Sequence, residues 1–521
     1  MPASAARDAV IVGGGLAGLT LALQLRGRFP ELDILVLERQ RHPLPAAAHK
    51  VGESTVEIGA HYLDTVLGLR EHMDTAQIRK FGLRYFFSDG CEAIAEATEL
   101  GVSRPLPLPS YQIDRGLFEN FLGEEARRRG IEFRDGASVR GLDVGEGGAV
   151  HTVHWREDDG EHAVQARWLL DASGRAGLLR RRFELTRDNG HAANAVWFRT
   201  GQRIAIDDWC DDADWQGRCD PPERWRSTNH LMGPGYWAWL IPLASGAHSV
   251  GIVCDAGMHP LEAMRDYQTA LAWLGQRQPA LARAVAATGE APLDFRFLRG
   301  YSYTTERLFS ADRWALTGEA GSFLDPFYSP GTDFIGINNS YIVALLAHDL
   351  AGEHLSPWAH FYEQLFFSLY EGTLRLFRGQ YPLFGNARVM PLKITWDYAY
   401  YWGVLCPLVF GQRLTDLKLM AAVRPSLLEA QALNQHMQAR LRDWHAEGGG
   451  RSRRRMLDQC ALPWFMELNA RIAEPLDDAA LLERLRGNVA LLSALADGIA
   501  ARAGATGAAP AAAHPPLFAT A

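Results

Sequence analysis

A strand, a glycine-rich loop, a helix and a second strand near the start of the chain constrain the fold more than any other feature. The β-branched run Val10–Val12 leads into three glycines spaced G-x-G-x-x-G, namely Gly13, Gly15 and Gly18. A leucine-rich helical pattern follows, and the second strand ends at Glu38. This spacing is typical of a dinucleotide-binding βαβ unit, whose glycines let the backbone approach a pyrophosphate at a helix N-terminus. The acid after the second strand accepts hydrogen bonds from a ribose. The residues expected to bind the dinucleotide are Gly13, Gly14, Gly15, Ala17, Gly18, Glu38 and Arg39.

Composition and charge restrict the class of protein. A chain of 521 residues exceeds what one hydrophobic core usually serves, so more than one domain is expected. The net charge of −8 argues against a general nucleic-acid binder. Six cysteines lie far apart without metal-ligand spacing, which predicts reduced thiols, a cytoplasmic location and no metal site. We expect neither a signal peptide nor a membrane span, because the first apolar run is the nucleotide-binding strand and no run is long enough to cross a bilayer.

Three further segments, taken together with the glycine loop, resemble the FAD fold of aromatic hydroxylases. Arg115 precedes a predicted helix, residues 171–175 close a predicted strand, and residues 314–321 place Gly318 and Glu319 directly after another strand. The resemblance implies that FAD is the cofactor and that Arg115, Gly318 and Glu319 contact it. The family usually has Asp at the position of Glu319, so this chain departs conservatively from the pattern. For Arg115 the alternative is an exposed salt bridge.

Two motifs extend the resemblance to flavin-dependent halogenases. Residues 50–54 read Lys-Val-Gly-Glu-Ser and are similar to the loop that holds FAD in those enzymes, which implies contacts from Gly52 and Ser54. The segment from Trp237 through Trp239 to the following Leu-Ile-Pro matches their W-x-W-x-I-P signature at every fixed position. Strand alternation puts both indoles on one face, where they would form a rigid wall separating the flavin from a bulky substrate. The alternative is a pair of ordinary core tryptophans.

The halogenase resemblance also singles out one lysine. It implies that reduced FAD and O2 oxidise a halide to hypohalous acid, which then passes a lysine on its way to the substrate. Lys80 lies 27 residues after Glu53 and directly before Phe81, which matches the place of that lysine in the family. Lys80 is therefore the candidate catalytic residue, and desolvation in an apolar tunnel would lower its pKa toward reactivity. The alternative is a surface lysine at a strand edge.

Residues 323–332 occupy the position of the family's flavin-capping, halide-binding loop. Backbone N–H groups bind the halide there, so Gly331 and Thr332 are the candidate donors for chloride or bromide. Tyr328 stands where tryptophan halogenases place Glu, which favours the phenol or pyrrole type and a phenolic or carrier-tethered substrate. Pro330 replaces a family halide donor and has no N–H, so this departure predicts weakened halide binding.

The expected fold class is α/β, with a Rossmann-like FAD-binding domain of the aromatic-hydroxylase type, a mixed-sheet substrate domain and a helical C-terminal region. The predicted boundaries are residues 1–60, 105–185 and 300–355 for the FAD-binding domain, 61–104 and 186–299 for the sheet-rich substrate domain, 356–500 for the helical region and 501–521 for a disordered tail.

The predicted function is that of a flavin-dependent halogenase acting on an electron-rich aromatic compound, free or bound to a carrier protein. A separate flavin reductase is the expected partner, because no glycine-rich site for a second dinucleotide is evident. One alternative is an FAD-dependent monooxygenase or a geranylgeranyl-reductase-like oxidoreductase without halide chemistry. Another is a flavoprotein scaffold that binds partners through the aromatic-rich residues 363–411, which could equally line a substrate cleft or form helical core.

Overall fold

The computed structural model describes residues 6–46, 50–448, 456–504 and 516–518. Their strands are β1 (Arg7–Val12), β2 (Ile34–Glu38), β3 (Ile78–Arg79), β4 (Leu83–Phe87), β5 (Thr98–Gly101), β6 (Tyr111–Gln112), β7 (Glu132–Asp135), β8 (Ser138–Asp143), β9 (His151–Glu157), β10 (Gly160–Asp171), β11 (Thr186–Arg187), β12 (Ala193–Thr200), β13 (Thr228–Gly233), β14 (Tyr236–Pro242), β15 (His248–Asp255), β16 (Asp294–Leu298), β17 (Thr304–Thr305), β18 (Trp314–Leu316) and β19 (Met456–Asp458). Their α-helices are α1 (Leu16–Arg28), α2 (Glu57–His61), α3 (Arg70–Ala76), α4 (Arg115–Arg128), α5 (Leu178–Arg182), α6 (Ala213–Gln216), α7 (Tyr267–Arg277), α8 (Pro279–Ala287), α9 (Gly331–Leu350), α10 (Leu355–Leu374), α11 (Met390–Tyr400), α12 (Cys406–Phe410), α13 (Leu417–Ala446), α14 (Pro463–Ala470) and α15 (Asp478–Gly504).

The first of two compact units, residues 1–75, 113–190 and 302–371, contains a seven-stranded sheet. Its strand order is β7-β2-β1-β10-β9-β8, and β18 also pairs with β10. The pairs β7–β2, β2–β1, β1–β10 and β10–β18 are parallel, while β10–β9 and β9–β8 are antiparallel. Val12 lies opposite both Leu37 and Asp171, so three strands deliver their carboxyl ends to the glycine loop. Helix α1 packs against α4 and α9 within this unit.

The second unit, residues 76–112, 191–301 and 372–521, contains an eight-stranded sheet. Its order is β16-β12-β15-β14-β13-β4-β5-β19, and only the pairs β13–β4 and β5–β19 are parallel. One face of the sheet packs on helices α7 and α8 through buried apolar side chains that include Phe198, Leu240, Val250, Leu274 and Val285. Helices α11, α13 and α15 pack on one another. The C-terminal helices thus share a unit with the sheet, because β19 joins it directly.

The predicted fold class is confirmed by the parallel, glycine-loop-bearing sheet of the first unit and the larger mixed sheet of the second. The assignment of domain boundaries remains a prediction. The structural units group residues 61–75 with the glycine loop, because Tyr62 donates a hydrogen bond to Gln24 of α1 and accepts one from Asn339 of α9, and they group residues 372–500 with the eight-stranded sheet.

The C-terminal expectations can be compared with the structure where residues are described. Helix α15 continues to Gly504, which corrects the predicted start of the disordered tail at residue 501, since this alanine-rich stretch favours helix. Residues 505–515 and 519–521 lie outside the described residues. Pro516 accepts a hydrogen bond from Nε1 of Trp464 at 2.8 Å. Most of the aromatic side chains in the 363–411 segment belong to the core, as the helical-core alternative expects; the buried ones are Phe366, Tyr370, Phe377, Tyr381, Phe384, Trp396, Tyr398 and Trp402.

Candidate functional site

The glycine loop joins β1 to α1 and leaves open space at one position only among its three motif glycines. A Cβ at Gly13, whose φ is +112°, would lie 2.2 Å from the carbonyl oxygen of Ala172, and a Cβ at Gly18 would lie 1.9 Å from the Gly13 carbonyl oxygen. At Gly15 the nearest side-chain atoms to such a Cβ are 3.9 and 4.0 Å away. The first and third glycines are therefore needed for packing, while the second borders an open cradle at the N-terminus of α1, where a pyrophosphate fits.

Glu38 lies beside this loop, as the sequence predicts. Its Oε2 accepts a hydrogen bond from the backbone N–H of Gly14 at 2.7 Å, and its Oε1 accepts one from the N–H of Gln40 at 2.8 Å. The side chain is half-buried at the end of β2, so the carboxylate is held in place and still reaches the surface. This is the arrangement that hydrogen-bonds a ribose. Arg39, the next residue, is exposed.

A buried carboxylate next to the glycine loop pairs with two cations. Glu119 on α4 is fully buried and forms ion pairs with Lys50 and Arg115. Nε of Arg115 lies 3.1 Å from Oε1 of Glu119, and its Nη1 donates to the carbonyl of Val51 at 2.5 Å. Burial opposes the ionisation of Glu119, but Arg115 and Lys50 outweigh it and hold the pKa of this carboxyl below its usual range. Arg115 is therefore in a mostly buried ion pair, its side chain being 13% exposed, and the exposed salt bridge considered from the sequence is wrong.

Two further segments that the sequence assigned to the FAD site, residues 50–54 and residues 323–332, also lie in the first unit. Gly52 has a φ of +87°, and a Cβ there would lie 2.9 Å from Nη1 of Arg115. The hydroxyls of Ser54 and Ser329 are 2.9 Å apart, which joins the loop after Lys50 to the loop before α9. The structure therefore brings together three segments that are far apart in sequence, all of which the sequence assigned to the FAD site.

Gly318 and Glu319 lie at the end of β18, on the other side of the glycine loop. A Cβ at Gly318 would lie 2.8 Å from the Cβ of Ala17, which explains why both residues are small. Nη1 of Arg175 is 3.7 Å from Oε2 of Glu319, and the hydroxyl of Tyr303 donates to the Glu319 carbonyl at 2.6 Å. Desolvation raises the pKa of Glu319, and the attraction of the neighbouring arginines offsets this only in part. The sequence did not predict Tyr303.

The candidate halide donors open helix α9. Gly331 and Thr332 are its first two residues, and the first N–H groups of a helix have no acceptor within the helix. Pro330 is the N-cap residue and cannot donate, while Ser329 before it adopts a φ of +58°. Gly331 is exposed and Thr332 is buried. The two N–H groups and the positive end of a helix dipole form a local environment that can bind a halide despite Pro330.

The second unit contains Lys80, which follows β3 directly. Its side chain is only 5% exposed, and its backbone N–H donates to the carbonyl of Ser110 at 2.8 Å. The alternative of a surface lysine at a strand edge is therefore wrong. Burying an ammonium group is costly unless polar groups compensate it. A buried lysine therefore indicates a role other than that of a surface charge.

The tryptophan pair forms one aromatic face on β14, as strand alternation predicts. The ring centroids of Trp237 and Trp239 are 5.7 Å apart, and both residues are buried. His230 continues this face, with its ring 5.2 Å from Trp237 and 4.7 Å from Tyr85. Each indole nitrogen is satisfied, Trp237 by the hydroxyl of Tyr381 and Trp239 by a serine hydroxyl, both at 3.1 Å. These bonds fix the two rings in one aromatic face of the second unit, while the role of this face as a wall between flavin and substrate stays a prediction.

The sheet register separates Lys80 from the centre of this wall. Trp239 shares a cross-strand row with His230 and Tyr85, whereas Lys80 precedes the first residue of β4, Leu83.

Sequence reasoning missed the buried carboxylate Glu119 altogether. Its spacing of four residues from Arg115 on a predicted helix was the available signal, because residues four apart share a helix face.

Comparison with known proteins decides the family. Residues 101–364, about half of the chain, match the profile of the tryptophan halogenase family, and residues 11–75 match an NAD(P)-binding Rossmann-like domain. The chain belongs to the tryptophan halogenase family. It is an FAD-dependent enzyme of the flavin-dependent halogenase type, and the residues gathered around the glycine loop fit that cofactor.

Curated relatives agree with this assignment. The chain is 24% identical to the flavin-dependent halogenase chlA of Dictyostelium discoideum, over 78% of this chain and 71% of that protein. It is 29% identical to a 1H-pyrrole-2-carbonyl-(peptidyl-carrier protein) brominase of Pseudoalteromonas luteoviolacea (strain 2ta16), over 63% of this chain and 74% of that protein.

Solved structures show the same fold. Halogenase PltM superimposes with a TM-score of 0.68 at 16% identity, covering 93% of this chain and 96% of that chain. A flavoprotein/dehydrogenase from Cytophaga hutchinsonii superimposes with a TM-score of 0.61 at 19% identity, covering 85% and 100% of the two chains. None of the described helices combines the length and the apolar character that crossing a membrane requires.

Proposed function

We propose that this enzyme uses reduced FAD, O2 and chloride or bromide to halogenate an electron-rich aromatic compound. Bound FAD supplies the oxidising chemistry: reduced FAD, O2, halide and one proton give oxidised FAD, water and hypohalous acid. The first unit offers the residues that fit this cofactor, namely the open cradle at Gly15, the carboxylate of Glu38, the partly buried Arg115 and the segment at Gly318 and Glu319.

The observation that carries the halogenating step is the burial of Lys80. A lysine that is 5% exposed can present its ammonium group in a site with little water, where a hydrogen bond is stronger than in solution. We assign Lys80 the task of hydrogen-bonding hypohalous acid and polarising its halogen–oxygen bond as the aromatic carbon attacks the halogen. The aromatic proton then leaves with the released hydroxide as water.

Lys80→Ala tests this assignment. Halogenated product should form about 10²–10⁴ times more slowly, because a positioned acid–base group contributes about that much to a rate. FAD affinity and the rate at which O2 oxidises reduced FAD should stay close to those of the unchanged protein, since the FAD residues lie in the first unit. Product formation is followed by mass spectrometry with bromide, a phenol panel and an added flavin reductase.

Two further variants separate catalysis from packing. Lys80→Met retains an unbranched apolar side chain of similar length. If Lys80 served only to fill space, this variant would keep the activity that Lys80→Ala loses; we expect it to lose activity as Ala does. Lys80→Arg keeps the charge but carries a larger, planar head group, and should also fail. Lys418→Ala, at an exposed lysine of α13, is the matched control and should keep full activity. Normal product formation by Lys80→Met would overturn the assignment.

We propose that the substrate is phenolic or tethered to a carrier protein. Tyr328, which replaces the Glu of tryptophan halogenases, supports this choice. The names of two relatives support it as well: one relative is a brominase of a pyrrole-2-carbonyl group on a peptidyl carrier protein, and PltM was crystallised with phloroglucinol and FAD.

Reduced FAD is proposed to come from a separate flavin reductase in the cytoplasm. The sequence supports this because its single G-x-G-x-x-G loop serves FAD and no second one is evident. The competing monooxygenase would instead be reduced directly and rapidly by NADPH. The feature that favours this competitor is Pro330, which removes one halide donor, but α9 retains the N–H groups of Gly331 and Thr332.

A further inference from the structure

Three charged side chains of the first unit form a partly buried cluster next to the open cradle at Gly15. Glu119 on α4 is fully buried and pairs with Lys50 and Arg115 on two different segments. A Cβ built on Gly15 would lie 3.9 Å from Oε1 of Glu119 and 4.0 Å from Nζ of Lys50. The cluster therefore borders the space that a pyrophosphate would occupy in front of α1.

The charges in this cluster do not cancel. One carboxylate and two cations leave a net charge of +1, and the N-terminus of α1 adds a partial positive charge. The carboxylate itself would repel a pyrophosphate at this distance if it stood alone. Its presence beside an anion site therefore requires an explanation in terms of what it does to the two cations.

Geometry supplies that explanation. Arg115 begins α4 only four residues before Glu119, while Lys50 starts the loop that continues through Gly52 to Ser54. Glu119 accepts hydrogen bonds from both, and its pKa is held low by them, so it stays ionised. A buried carboxylate with two cationic partners removes the rotamer freedom that long cationic side chains otherwise keep.

We propose that Glu119 is a positioning residue for the cofactor, which anchors Lys50 and Arg115 so that they face the pyrophosphate of FAD. This inference rests on the FAD site of the proposed function. It assigns the diphosphate-bearing half of the cofactor to the loop, to α1 and to a preassembled pair of cations whose common anchor is Glu119.

Glu119→Gln tests the proposal because the two electrostatic effects of this residue have opposite signs. The amide keeps the size of the side chain, but Lys50 and Arg115 bond different oxygens of the carboxylate, so the amide turns an NH2 group, which cannot accept, toward one of the two cations. If anchoring dominates, the dissociation constant for FAD rises by roughly tenfold. If repulsion dominates, FAD binds more tightly than to the unchanged protein, and the proposal is wrong. Flavin fluorescence titration of the apoprotein measures the difference.

Glu125→Gln is the matched control on the same helix. Glu125 also pairs with two arginines, Arg128 and Arg129, but away from the glycine loop. The control should bind FAD with unchanged affinity, whereas a general weakening of α4 would affect both variants. The salt dependence gives a second readout: well-placed cations make FAD binding weaken with added NaCl, and Glu119→Gln should flatten that dependence.

Lys50→Met keeps the proposal testable even if Glu119→Gln does not fold. The Lys50 side chain is 27% exposed, so its replacement should be tolerated, and FAD affinity should fall. In the double variant, Glu119→Gln should add less than it does alone, because part of its effect passes through Lys50. Strict additivity, or unchanged FAD affinity in Lys50→Met, would overturn the anchoring role. Failure of the unchanged protein to bind FAD would instead contradict the proposed function itself.

Discussion

At the scale of single residues, the glycine loop contains glycines with different duties. Gly15 has an extended backbone that any residue can adopt, with φ −81° and ψ −172°, and open space where a side chain would point. Gly13 has a positive φ, and a side chain there would clash with a backbone carbonyl. A motif read from the sequence treats these positions alike, whereas the structure separates a binding requirement from a folding requirement.

This difference makes a prediction about two alanine variants. Gly15→Ala should change the free energy of unfolding of the apoprotein by less than about 0.5 kcal/mol, yet weaken FAD binding because the methyl group enters the cradle. Gly13→Ala should lower the free energy of unfolding by on the order of 2 kcal/mol or more, because positive φ and a carbonyl contact both oppose it. Urea denaturation and FAD titration give the two values. Normal FAD affinity in Gly15→Ala would show that the pyrophosphate binds elsewhere.

The sequence was sufficient to predict the positions of residues whose role depends on local spacing. Gly13, Gly18 and Glu38 lie where the motif predicts, because a βαβ unit is built from consecutive residues. The burial of Lys80 could not be predicted from the sequence, since it depends on how β3 and β6 pair and on packing from distant segments. Glu119 was missed for the same reason: its i,i+4 spacing from Arg115 is visible, but its burial and its bond to Lys50 are tertiary facts.

At the scale of elements, the start of α9 contains Pro330, at the position where the halogenase resemblance implies a halide donor. Pro330 has φ −76° and ψ −2°, which are ordinary values for alanine, so Pro330→Ala should keep the helix and add an N–H next to Gly331 and Thr332. The extra donor should lower the KM for bromide by about tenfold, because hydrogen bonds to a charged acceptor are among the stronger ones.

The cost of this change should be small. Loss of proline increases the entropy of the unfolded chain, so the free energy of unfolding should fall by about 0.4–1 kcal/mol. The readout is the bromide dependence of product formation with an added reductase, with chloride measured in parallel. An active Pro330→Ala enzyme with an unchanged KM for both halides would show that the halide does not bind at the start of α9.

Long elements with strong local patterns were predicted, and short or irregular ones were not. The helix predicted to follow Arg115 begins at Arg115 itself, with Asp114 as its N-cap. The π-helical turns Tyr62–Val66 and Tyr401–Leu405 have no such signal, because they arise where a helix adjusts to its neighbours. The two-residue strands β3 and β6 exist only through their pairing with each other.

At the scale of the whole molecule, long-range pairing decides which residues form a unit. Strand β19, a three-residue strand that follows α13 in the chain, pairs with β5 and extends the eight-stranded sheet. No sequence pattern around Met456 predicts this pairing, so the C-terminal helices were expected to form a separate region. Topology of this kind follows from contacts between distant segments rather than from local propensity.

A buried histidine predicts how stability depends on pH. His248 at the start of β15 is fully buried; its Nδ1 accepts the N–H of Ile204 at 3.1 Å, and Nε2 has no hydrogen-bond partner among the described residues. Burial, with repulsion from Arg203, lowers the pKa of His248 to about 3. Because the unfolded imidazole titrates near 6.5, this group's contribution to stability is complete above that pH and is lost progressively as the pH falls toward 3.

His248→Asn should remove this dependence while retaining an acceptor for Ile204. Between pH 6 and pH 4 the free energy of unfolding of the unchanged protein should fall more steeply than that of the variant, by about 1.4 kcal/mol per pH unit. At pH 7 the variant should be the less stable of the two, because the smaller side chain leaves a cavity. His354→Asn, at an exposed position, is the control and should follow the unchanged protein at every pH. Urea denaturation at each pH gives the slopes, and parallel slopes for His248→Asn and the unchanged protein would show that His248 is not held neutral in the fold.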